Sequence, residues 1–216
     1  MEQEYPAPDF SGDDFADDKN ILADREAFKV YEKMIDRSLS IIRQELDFEK
    51  ASHKNFKDFH MYKSLGATLT ASFRDADKVA WVSLAKYASS YPIGKYANRG
   101  VDQYLFGHIT LPSMYPRTYI YKETLQEVIA DLFLKREVDF DHSKSFSRKF
   151  HVLTEDKQRL ETLMQSKNLD TLAEYPDMEL EFNNTSLLFR NSRKSVSVEE
   201  ATLFCHLTKA LLSIFG

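Results

Sequence analysis

The stretch LGATLTASFRDADKVAWVSLAKY, residues 65–87, decides the fold class. Leu65, Ala67, Leu69, Ala71 and Phe73 alternate with Gly66, Thr68, Thr70, Ser72 and Arg74. Successive side chains on a strand point to opposite faces, so a period of two marks a half-buried strand. Asp75, Ala76, Asp77 and Lys78 supply turn chemistry, and residues 79–87 return as a second strand. Asp75 and Asp77 open like a calcium loop, but the glycine and the closing glutamate of such a loop are missing. Two strands joined by so short a turn pair antiparallel.

Upstream, Phe28, Tyr31, Ile35, Leu39, Ile42 and Leu46 recur every three or four residues, predicting one face of a long helix from about Asp24, its expected N-cap, through Glu49. At ~1.5 Å per residue this rod runs roughly 40 Å. Val30, Met34, Ile41 and Phe48 lie off that stripe, so the helix wants two packing surfaces, the second being another element or a second subunit.

Downstream, residues 87–100 have no clear period and read as a long loop. Residues 101–111 read as a strand stopped by Pro112, residues 117–121 as another, and residues 123–135 as an amphipathic helix. Residues 138–140 and 146–153 predict strands, with Thr154 as the cap of a helix carrying Leu160, Leu163 and Met164. A short helix follows around Leu169. Residues 178–182 and 186–190 flank Asn183, Asn184 and Thr185, a β-hairpin signal because asparagine tolerates positive φ. Ser197 and Glu200 form a capping box that opens a C-terminal helix to about Phe215. Strands come in runs rather than in strict alternation with helices. The expected fold is therefore α+β: a long N-terminal helix, a mainly antiparallel sheet, and a C-terminal β-hairpin and helix.

Charge divides the chain unevenly. Residues 1–24 hold eight carboxylates against Lys19 alone, whereas the formal net charge of all 216 residues is −5. This predicts an acidic, flexible arm over residues 1–20 and a nearly neutral single domain over 21–216, in which residues 135–141 are the candidate place for a subdomain break. A neutral body lacks the basic face of a duplex nucleic-acid binder. The lone Cys205 precludes an internal disulfide and fits a reducing compartment. No run approaches the ~18 apolar residues of a membrane span, and residues 1–5 lack the start of a signal peptide, so the cytoplasm is the expected location.

Chemistry-bearing motifs are sparse. His53, His60, His108, His142, His151 and His206 show no metal-ligand spacing, and neither a phosphate loop nor a G-x-S-x-G elbow occurs, so no metal or cofactor is expected. Cys205 sits among apolar helix neighbours and reads as an inert core thiol. The 87–100 segment gathers Tyr91, Lys95, Tyr96 and Arg99, residue types enriched in binding patches. A second basic group comprises Lys144, Arg148 and Lys149, joined by Arg190, Arg193 and Lys194, with the acidic arm as its expected carboxylate partner.

Asp141, the run FSRKFHV at 146–152, Asp156, the leucine-rich helical pair and residues 178–190 together resemble an uncharacterised bacterial family of domains of unknown function. The resemblance covers the last 80 residues best and the strands from Phe56 onward more loosely. Many members of that family carry transmembrane helices ahead of a cytoplasmic domain, which this sequence does not show. The resemblance implies the fold and carries no catalytic residues. The functional expectation is a non-catalytic binding or scaffolding domain, meeting a protein partner or a second copy through the first helix. The alternative is an enzyme or small-ligand binder whose site lies between the sheet and the 87–100 segment, with His60, His108 or Tyr104 as its polar groups.

Overall fold

The computed structural model describes residues 18–93, 96–122 and 136–216. The expected helix over 123–135, Lys95 and most of the acidic arm lie outside the described residues. In chain order the elements are α1 (Asp18–Leu46), β1 (Glu49–Lys50), α2 (His60–Lys63), β2 (Thr68–Arg74), β3 (Ala80–Ile93), β4 (Tyr96–Lys122), β5 (Arg136–Glu137), α3 (Lys144–Ser147), β6 (Phe150–Thr154), α4 (Lys157–Met164), a 3₁₀ turn (Leu169–Glu174), β7 (Glu179–Arg190) and α5 (Val198–Phe215). The fold is α+β, with a long N-terminal helix, a C-terminal helix and one sheet. Every described strand pair is antiparallel: β1-β2-β3-β4-β6-β5, with β7 on the other edge of β4.

The 65–87 reading holds in β2 and β3, which pair across the Asp75 turn from Arg74↔Trp81 to Thr68↔Lys86. Asp75 anchors that turn, its Oδ1 accepting from the amides of Val79 (2.8 Å) and Ala80 (3.1 Å). The described parts of the 87–100 segment, residues 87–93 and 96–100, are strand and not loop. β3 and β4 stay paired to Ile93↔Tyr96, so they are the end of a long antiparallel ribbon. Backbone pairing needs no apolar alternation, which reports only a buried face, so this ribbon left no period to read.

Three other expectations change. The first helix opens at Asp18, which leaves Asp24 inside it rather than capping it. Residues 146–153 divide: Phe146 is buried in the single-turn α3, Arg148 closes that turn exposed, and only Phe150–Thr154 forms strand β6. Asp156, not Thr154, caps α4 by accepting from the Arg159 amide at 3.1 Å, because the Thr154 hydroxyl is already bonded to Thr118 across the strand pair.

The most consequential change concerns the C-terminal hairpin. Residues 179–190 form one strand, β7, that pairs along β4 from Ile120↔Leu180 to Gly107↔Phe189. Asn184 does adopt the left-handed conformation (φ 54°), but it bends the strand instead of reversing it. Opposite it, β4 takes five steps from Thr110 to Tyr115 where β7 takes two, so the stretch around Pro112 bulges outward. Pro112 has no N–H to lose there. Side-chain parity switches across the bend. Leu180 and Phe182 face the main core on one side of it, and Leu187 and Phe189 on the other.

That core lies between the sheet and the helices α1 and α5. Ile42, Val82, Leu84, Ile109, Phe204 and Leu211 are fully or almost fully buried in it. Gly107 is required by the packing: a Cβ there would meet the Phe189 ring at 1.9 Å, and Phe189 is held from behind by stacking on Phe204. The opposite face of the sheet carries a second cluster, in which Phe56, Phe59 and Met61 from the segment around α2 cover Phe106, Tyr119, Tyr121 and Leu188.

Candidate functional site

On a straight strand, Glu179 and Arg190 would stand about 36 Å apart at ~3.3 Å per residue. In the bent β7 their side chains meet. The Arg190 Nη2 donates to both carboxylate oxygens of Glu179, at 2.8 and 2.9 Å, and its Nε donates at 3.1 Å. Arg193, three residues past the strand, reaches the same carboxylate through Nε at 2.6 Å and Nη2 at 3.1 Å. The Tyr119 hydroxyl adds a 2.5 Å bond to Oε2. Glu179 is wholly buried. Burial alone would raise its pKa, but the two guanidiniums overcome that and hold it down to about 2. The phenol responds the opposite way, its pKa pushed up by burial and by the adjacent carboxylate.

Glu181, two residues on and on the same face, is also buried. Its two oxygens accept from the backbone amides of His60 and Met61, each at 2.8 Å, which fixes the start of α2 against the sheet. Burial raises its pKa; those amides and Arg117, 3.8 Å away, act against that rise.

Between α2 and the sheet these anchors leave a cleft of about 280 Å³. His60, Ser64 and Leu65 form one wall, Tyr87 and Tyr104 the other. The two tyrosine rings stack at 5.1 Å, and the Tyr104 hydroxyl donates to that of Tyr87 at 3.1 Å. Tyr119, Arg190 and Arg193 close the bottom. Glu179 occupies two N–H groups of Arg193 and the Tyr119 hydroxyl oxygen lies against the same guanidinium, while about a third of the side chain stays exposed.

The residues singled out in sequence separate here. His60 lines the cleft, and so does Tyr104. His108 does not join them. It is enclosed by Phe56 (6.0 Å, stacked), Phe59 (6.3 Å) and Trp81 (5.7 Å, edge-on), and neither ring nitrogen has a partner among the described residues. Burial, with a smaller contribution from Lys54, pushes its pKa down to about 3, so it is a neutral imidazole packed as an aromatic. Tyr91, Tyr96 and Arg99 lie on the β3–β4 ribbon, opposite Asn98, Ile93 and Ser90 respectively; their side chains lie outside the described residues. Arg190 and Arg193 take Glu179 as their partner, and the arm expected to supply a carboxylate lies almost wholly outside the described residues. Lys149 and Arg148 bond the backbone carbonyls of Ala173 and Lys144. Cys205 is a core thiol, raised to about 11 by burial.

Glu179 and Glu181 were not legible as site residues. In the run MELEF (178–182) they alternate with apolar residues, the pattern of a strand with one solvated face. The available signal was the pair of arginines at 190 and 193, but only the bend brings them back to residue 179.

Apart from the exposed edge of Arg193 and the Tyr87 hydroxyl hydrogen, the polar groups at the cleft are committed to one another. The Ser64 hydroxyl donates to the Met61 carbonyl at 3.3 Å, and His60 meets Tyr119 only ring to ring at 6.3 Å. No nucleophile–base hydrogen bond is formed there among the described residues, and no group of three or more metal-ligating side chains occurs among them. No described helix is long and apolar enough to cross a membrane. No protein-family model, curated protein or solved structure matches the chain.

Proposed function

We propose that this chain is a non-catalytic binding domain that uses the cleft between α2 and the β3–β4 ribbon to hold a small ligand. The observation that carries this reading is a concave, tyrosine-walled cleft whose floor is fixed by a buried, fully bonded carboxylate and whose hydroxyls already serve structural bonds. Pre-formed clefts of mixed polarity with a few oriented polar groups are the usual form of a small-molecule site, and this one is at the small end. Fixed donors without an activated nucleophile favour capture over chemistry. Titrating the full chain with small aromatic amides, alcohols and acids, followed by amide NMR shifts, tests it. Shifts gathered on Ser64, Leu65, Tyr104 and Arg193, with every probe recovered unchanged, are expected. Scattered shifts, or turnover of a probe, would overturn it.

A partner surface on the first helix is supported by a separate observation. Phe28 and Val30 are 60% and 68% exposed near the start of the described side chains of α1, while Ile35 and Ile42 turn inward. A protein partner or a second copy seated there is the scaffolding part of this proposal, and light scattering of the chain against Phe28→Ser tests the second copy. Residence in the cytoplasm is the matching expectation, supported by a single cysteine buried as a thiol.

A further inference from the structure

Resting on the binding cleft proposed above, we infer that its ligand is a small organic monoanion, a carboxylate carried on a flat apolar body. The charge at the bottom of the cleft points to the anion. Arg190 and Arg193 share one carboxylate, Glu179, which leaves one positive charge over. The neighbouring Arg117 faces its own carboxylate, Glu181, and adds none. Arg190 is almost sealed, with only 4% of its side chain exposed, so the surplus is presented by Arg193.

The donors agree with the charge. With Glu179 and Tyr119 on one part of its guanidinium, Arg193 keeps two N–H groups for a ligand, and the Tyr87 hydroxyl accepts from Tyr104 with no acceptor for its own hydrogen among the described residues. A guanidinium edge with paired N–H groups matches the two oxygens of a carboxylate. One surplus charge balances a monoanion and leaves half of a phosphate dianion uncompensated. The walls define the rest of the ligand. The stacked Tyr87 and Tyr104 rings present a flat aromatic surface, and Leu65 gives the opposite wall an apolar patch.

Benzoate, benzamide and inorganic phosphate are the probes, titrated separately into the full chain at one ionic strength and followed by amide shifts at the cleft. Benzoate is expected to bind at least tenfold more tightly than benzamide, which has the same shape without the charge. Its binding should weaken at least tenfold in Arg193→Gln and severalfold in Tyr87→Phe. Glu179 keeps Arg190 and Tyr119 in the first variant, so the fold survives; were it lost, the benzoate-to-benzamide ratio and Tyr87→Phe decide alone. Equal binding of benzamide and benzoate, or an Arg193→Gln variant that binds benzoate normally, would overturn the anion assignment while leaving the cleft a binding site. Tighter binding of phosphate would overturn the carboxylate class. Silence of all three probes, together with that of the neutral panel, would overturn the binding reading itself.

Discussion

Glu179 and His108 lie on the same face of one sheet, both shut away from water, and the chain treats them in opposite ways. Glu179 receives donors from Arg190, Arg193 and Tyr119 and stays charged. His108 receives no hydrogen bond among the described residues and stays neutral between aromatic rings. A buried charge is tolerable only with partners, and a buried imidazole only without a charge, so each site is stable in one protonation state. The difference teaches where function can sit. The satisfied centre holds polar groups rigidly at the bottom of a cleft, whereas the unsatisfied one is sealed and serves packing.

Acid should break the comparison most strongly at His108. Unfolded, its imidazole takes a proton near pH 6.5; folded, it resists until about pH 3. Between those values the unfolded chain binds more protons, so stability is present above pH 6.5 and is lost as the pH falls towards 3. The full shift corresponds to a loss on the order of 5 kcal/mol. Urea unfolding at stepped pH measures it, and His108→Phe should flatten the part of the profile between pH 6.5 and 4.5. Glu179 joins only below that. Its depressed pKa makes its contribution disappear as the pH falls from 4.5 towards about 2.

Removing the charge that holds the satisfied centre comes next. Glu179→Ala leaves Arg190 buried without a counter-ion and should cost about 3–5 kcal/mol in unfolding free energy at pH 7. If that variant unfolds at the wild-type urea midpoint, the network is not what holds the bent β7 closed. A smaller effect isolates the phenol. Tyr119→Phe deletes one bond to a buried carboxylate, worth roughly 1.5–3 kcal/mol, while keeping the ring among Tyr121 and His60. His108→Phe at pH 7 is the counterpart: it removes two unpartnered nitrogens from an aromatic enclosure and should change stability by less than about 1.5 kcal/mol.

Much of the fold was legible because it depends on local rules. Alternation from Leu65 to Phe73 marked β2, the Asp75 turn marked the return, and Ser197 announced α5, its Oγ accepting from the Glu200 amide at 3.1 Å. The reciprocal half of that capping box did not form as expected, since the Glu200 carboxylate accepts from Asn191 and Ser192 instead. Asn183 and Asn184 correctly marked a special backbone position, yet positive φ at one residue fits a bend as well as a reversal. What decided between them was β4, which lies alongside both halves of β7. The candidate site was legible only in part. His60 and Tyr104 were named, but nothing local distinguishes them from His108, and Glu179 looked like a solvated strand position.

The sequence by itself determined the class: helix, antiparallel strands, helix, with a buried unreactive cysteine and a net charge carried largely by the first residues. These follow from periodicity, caps and composition, which act within a few residues. Only the tertiary structure decided that β7 is one bent strand, that residues 179 and 190 meet, and which of two histidines faces a cleft. Those outcomes depend on parity across a bend and on contacts between residues far apart in the chain, and no local pattern encodes either.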